Sequence, residues 1–97
     1  MDIRMPVPDP AKSVAKIASK VEAGEKTRRR ALEILAMARQ NGVAAGKDPV
    51  GLAASALYVA STLSGEDKTQ RDIAKAAGVT EVTIRNRYKN LRAALGI

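Results

Sequence analysis

Residues 50–63 carry no charge, and that run constrains this chain more than any other feature. Val50, Leu52, Ala53, Ala54, Ala56, Leu57, Val59, Ala60 and Leu63 cover nearly every side of a helical wheel. Asp48 reads as the N-cap, Pro49 as the first helical residue, and Gly65 as the stop. A helix that is apolar all round must be enclosed by other structure. At roughly 15 residues it is too short to span a bilayer, which takes about 20. The run therefore predicts the buried centre of a small helical bundle. A chain of 97 residues has room for one such core.

The other segments read as helices wrapped around that centre. Pro6, Pro8 and Pro10 make residues 1–9 an extended linker, so the domain occupies 10–97. Asp9 and Pro10 predict the start of a first helix, Val14, Ile17, Ala18 and Val21 its inner face, and Gly24 its end. A second helix is expected over 25–40, with Ala31, Ile34, Leu35 and Ala38 inward and Gly42 as its stop. Glu66, Asp67 and Lys68 read as a polar loop. Thr69 caps a short fourth helix with Ile73, Ala74 and Ala77 inward. Thr80 caps a fifth, whose core stripe is Ile84, Tyr88, Leu91 and Leu95. The 18 Ala, with Tyr58 and Tyr88 the sole aromatics, favour closely packed helices over a sheet. The fold class predicted is all-α, five helices around a buried third.

Composition also narrows the function. Without Cys or His there is no disulfide, thiol nucleophile or His-based acid–base chemistry. The ten carboxylates are scattered, so neither an enzyme nor a cofactor or metal site is expected. The formal charge of +7 favours a polyanionic partner. No basic helix combines amphipathicity with bulky apolar residues, so a membrane is not the expected partner. Two Tyr are too few to stack single-stranded bases, which points to a duplex.

The fourth and fifth helices, over 69–95, have helix-turn-helix spacing. Ala74 is small enough for a crossing helix, Gly78 tolerates a left-handed turn, Val79 plugs the junction, and Ile84 locks the second helix. On the fifth helix Val82, Asn86 and Lys89 lie opposite the core, Thr83 on one flank and Arg85 on the other. Val82 and Arg85, near its N-terminus, are the candidates for base edges. Lys89, Arg87 and Arg92 are candidates for phosphates, as are Gln70, Arg71 and Lys75 on the preceding helix. Thr69 and Thr80 read as caps, and with Thr83 they offer hydroxyl or amide contacts there. Arg28, Arg29 and Arg30 form either a second basic surface or a solvated face.

Gly46-Lys-Asp-Pro-Val-Gly-Leu-Ala-Ala-Ser-Ala-Leu-Tyr-Val-Ala, Thr69-Gln-Arg-Asp-Ile-Ala and Gly78-Val-Thr-Glu-Val-Thr-Ile-Arg-Asn-Arg-Tyr-Lys-Asn-Leu together resemble archaeal transcription initiation factor B. The resemblance is to the second cyclin-like repeat of the core domain, shared with general factor IIB. It is dense from about Thr27 onward and looser before, where Val14, Ile17 and Val21 replace the family's aromatics. It implies a five-helix cyclin-like fold and a helix-turn-helix that reads the B recognition element upstream of the TATA box in the major groove. It further implies double-stranded promoter DNA and TATA-binding protein as partners, and RNA polymerase through the full-length factor. An archaeal cytoplasmic, nucleoid-associated location and a monomeric state are expected. Val82 and Arg85 match the family's base-contacting positions; Thr69, Gln70, Thr80, Thr83 and Arg87 match the wider DNA-facing surface. The full factor also has a zinc ribbon, a linker and a first repeat, so an excised domain is the simplest expectation. A protein-interaction module and a stand-alone helix-turn-helix regulator are the alternative readings.

Overall fold

The computed structural model describes residues 10–43, 48–66 and 68–97. Asp9 and the 1–9 linker lie outside the described residues. Five helices are present among them: α1 (Pro10–Lys20), α2 (Glu25–Gln40), α3 (Pro49–Leu63), α4 (Gln70–Ala77) and α5 (Glu81–Leu95). The centre is α3, which packs against each of the other four. Leu52, Ala53, Ala54, Ala56, Leu57, Val59 and Ala60 are all buried.

The core closes around α3 with Val14, Ile17 and Ala18 from α1, Ala31, Ile34, Leu35 and Ala38 from α2, Ile73 and Ala74 from α4, and Ile84 and Leu91 from α5. Ser55 and Ser61 are buried on α3 as well, each with its hydroxyl satisfied locally. Ser55 donates to the Gly51 carbonyl and Ser61 to that of Tyr58, both at 2.8 Å, so neither hydroxyl is left unpaired in the core. Tyr58 meets Tyr88 of α5 edge-on, ring centres 5.0 Å apart, a favoured aromatic geometry.

The caps on α3, α4 and α5 follow the sequence. Asp48 accepts from the Gly51 N–H at 2.9 Å, Thr69 from that of Asp72 at 3.0 Å, and Thr80 from that of Thr83 at 3.2 Å. At the α1–α2 junction the structure departs from the reading. Gly24 does not end α1: its φ of −69° is ordinary, and it is the N-cap of α2. The reversal occurs earlier, at Glu22, whose φ is +55°, and the Ala23 N–H closes it by donating to the Ala18 carbonyl at 2.8 Å. Val21 lies just past α1 and packs on the core margin.

Gly24 has no side chain with which to cap α2, and Glu66 supplies the missing cap from across the fold. Its Oε1 accepts from the Gly24 N–H at 2.9 Å and from the Thr27 hydroxyl, which is buried. A Cβ on Gly24 would stand 3.0 Å from that same oxygen, so the bare backbone is what admits the carboxylate. The supposed polar loop after α3 thus ties the start of α2 to the approach to α4. The Thr27 hydroxyl, the Gly24 N–H and the Lys68 ammonium hold the Glu66 carboxyl below its ordinary pKa, outweighing the opposite effect of burial.

Candidate nucleic-acid interface

The turn between α4 and α5 is tight because Gly78 takes a left-handed conformation, φ +72° and ψ +29°. The Val79 N–H donates to the Ala74 carbonyl at 3.1 Å, and half-buried Val79 packs on the core. Thr80 then starts α5, and its hydroxyl also pairs with that of Thr83 at 3.0 Å. Ile84 is fully buried one turn in and fixes the helix to the body. These contacts anchor the first two turns of α5 to the body of the fold.

Val82 is 56% exposed, more than Leu32, Met37 and Leu63, the other large apolar side chains at the surface. Arg85 and Asn86 are exposed beside it, as is Lys89 one turn on. None of the four makes a side-chain hydrogen bond or ion pair among the described residues. The structure thus brings a short apolar group, an amide and two cations onto one outward face. Thr83 sits at the flank, where its methyl rests over Gly51 of α3.

Other predicted contacts are placed differently. Arg87 is half-buried, with its Nε shut away from solvent and without a hydrogen-bond partner among the described residues. Arg92 folds back along α5: its Nη1 donates to the Tyr88 hydroxyl and its Nε to the Ile97 carbonyl, both at 2.8 Å, with the guanidinium 5.5 Å from the Tyr88 ring centre. Tyr88 is half-buried, its ring against Tyr58 and its hydroxyl accepting from Arg92. On α4, Arg71 is exposed and Gln70 half-exposed. Thr69 and Thr80 are exposed with their hydroxyls engaged as caps.

Of the trio on α2, Arg29 and Arg30 share the exposed surface with Lys26 and Glu33. Arg28 turns onto α1, where its Nη2 donates to Ser19 Oγ at 2.7 Å. Arg29 lies 3.6 Å from Glu25 and Arg30 3.5 Å from Glu33, on the same helix and exposed. Such surface pairs contribute little to stability, but they offset the local positive charge. Among the described residues no group of three or more His, Cys, Asp or Glu could hold a metal ion. No helix among them is long and apolar enough to cross a membrane.

Residues 3–94 match the family model of the transcription factor TFIIB repeat. The chain belongs to the TFIIB repeat family. Its five helices around a buried third are the all-α, cyclin-like fold of that repeat. A relative from Pyrodictium occultum, "Transcription initiation factor IIB", is 53% identical over 97 residues, all of this chain and 31% of the relative. One of the same name from Pyrobaculum islandicum is 47% identical over 97 residues, 29% of its own length. Another from Pyrococcus horikoshii is 54% identical over 88 residues, 91% of this chain and 29% of the relative. The TFIIB repeat seen here therefore spans about a third of the curated relatives it matches.

Three features of this TFIIB repeat escaped the sequence reading. The Glu66 cap joins residues 39 or more apart, with no local signal in the sequence. The Gly51–Thr83 contact could be suspected only as a generic need for a small residue in a crowded helix. The third is a set of lysines on α1, Lys12, Lys16 and Lys20, unaccompanied by any acid within that helix. Summing charge over residues 1–24 conceals them, because Asp2, Asp9 and Glu22 lie outside α1.

Proposed function

We propose that this TFIIB repeat is the duplex-reading part of a general transcription initiation factor. α5 enters the major groove of promoter DNA just upstream of the TATA box, at the B recognition element. Arg85 pairs with guanine O6 and N7, and Val82 touches a thymine methyl. Lys89 and Arg71 meet backbone phosphates, with Gln70, Thr69 and Thr80 on the flank, and these contacts fix register rather than sequence. Asn86 and Thr83 border the base-reading pair. The repeat acts alongside TATA-binding protein, and with RNA polymerase through the rest of the longer factor.

The observation that carries this reading is the exposure of Val82 beside Arg85 on the first turns of a helix held rigidly by the Thr80 cap and buried Ile84. An exposed valine with no partner in the body fits a surface that meets apolar groups elsewhere, as the groove edge of thymine provides. The test is a titration of the ¹⁵N-labelled chain with a short purine-rich duplex. Shifts confined to residues 82–89 and to the start of α4 support the reading. Shifts spread over α1 and α2 with none in α5 overturn it.

A further inference from the structure

Three lysines converge at the seam between α1 and α4. Lys20 ends α1, Lys68 lies just before α4, and Lys75 is in the last turn of α4. With Val21, Asp72 and Ala76 they line an open cavity of about 320 Å³. Lys20 Nζ donates to the Ala76 carbonyl at 3.4 Å, which keeps that ammonium at the rim. Lys75 has no ion-pair partner among the described residues, and Lys68 has none within 4.0 Å, although its charge acts on the nearby Glu66 carboxyl. Asp72 is the one acid in the lining. Val21 and Ala76 are half-buried and give the cavity an apolar wall.

We propose that this seam docks an acidic segment of a protein partner, with its carboxylates on the three lysines and a small apolar side chain against Val21 and Ala76. Charge sets the sign of the partner: the lining holds three cations and one carboxylate, and the Glu66 carboxyl near Lys68 is already engaged by Gly24 and Thr27. Shape selects its class. A concave site with an apolar wall takes a side chain, whereas the phosphates of a duplex are met by projecting cations on an open face. None of the six lining residues belongs to α5, so an occupant here leaves Val82 and Arg85 free. Lysine suits such a site because its ammonium is a point charge on a flexible stem and adapts to carboxylates in several positions. The proposal does not depend on which bases α5 reads.

The experiment is a titration of the ¹⁵N-labelled chain with a short capped peptide in which pairs of Glu alternate with Leu. Saturable shifts are expected at Lys20, Val21, Lys68, Lys75 and Ala76. Replacing each Glu of the peptide by Gln should weaken binding at least about tenfold, and raising salt should do likewise. The K20A/K68A/K75A chain should lose the response, while a K12A/K16A chain, altered on the same helix away from the cavity, should retain it. Circular dichroism of both variants checks that the fold persists. Equal binding by the K20A/K68A/K75A chain overturns the proposal, as do shifts of equal size around Lys12 and Lys16. A seam that responds to duplex DNA and not to the peptide also overturns it, and makes the seam part of the DNA surface.

Discussion

The methyl group of Thr83 on α5 lies against the bare α-carbon of Gly51 on α3, so close that a Cβ there would stand 3.2 Å from it. The same Cβ would stand 3.2 Å from Asp48 Oδ2, the cap of α3. Neither neighbour yields easily. Thr83 is held through its hydroxyl to Thr80, and the Asp48 carboxylate by the Gly51 N–H. Gly51→Ala should therefore destabilise by about 1 kcal/mol net, although Ala is the better helix former by a similar amount. Thr83→Ser removes the methyl and should relieve part of the cost of alanine at 51, leaving the part owed to Asp48. Urea unfolding of the two single variants and the double variant checks this coupling.

Gly78 presents a different kind of constraint. Nothing lies within 4 Å of a Cβ added there, so only its φ of +72° opposes a side chain. Gly78→Ala should cost about 1–2 kcal/mol. Gly78→Asn should cost less, because Asn tolerates the left-handed region. Thermal unfolding of the pair distinguishes conformational strain from lost packing.

The Glu66 cap gives the fold a pH dependence of known sign. Its carboxyl is held below the ordinary value of 4.5, so its contribution is present above that pH and fades as the pH falls through the lowered folded-state pKa. Glu66→Gln should lower stability by about 1 kcal/mol at neutral pH, the size of a lost cap. The gap between the two proteins should close in acid, once Glu66 of the parent is itself protonated. Unfolding curves at neutral pH and at pH about 3 check both ends.

Base reading and phosphate contact separate through salt. Lys89→Ala should weaken binding to all duplexes alike and reduce the slope of log affinity against log salt by about 1. Arg92→Ala should leave that slope nearly unchanged, because Arg92 is occupied by Tyr88 and Ile97. It should instead loosen the last turns of α5. Binding isotherms at several salt concentrations, with a melting curve for each variant, measure the two effects.

Much of this architecture was legible because its signals are local. An uncharged run bounded by Asp48-Pro49 and Gly65 could only be an interior helix, and Thr69, Thr80 and Gly78 mark boundaries through hydrogen bonds or torsions confined to a few residues. Helical periodicity likewise separated Ile84 and Leu91 from Val82 and Lys89. What escaped depends on distant residues. Gly24 looked like a stop because glycine often is one, yet its role is set by a carboxylate 42 positions away. Arg28 and Arg92 looked like free cations because no sequence rule tells a solvated arginine from one folded onto Ser19 or Tyr88. The seam lysines belong to segments that meet only in the folded chain.

Base reading by α5 through Arg85 is tested most directly by one measurement. Gel-shift titrations would compare the parent and Arg85→Ala chains on a duplex bearing the matched upstream element and on a scrambled one. The expected result is a loss of about 1–3 kcal/mol on the matched duplex with little change on the scrambled one, so that preference between them collapses. An equal loss on both duplexes would reduce Arg85 to a phosphate contact and contradict the central claim.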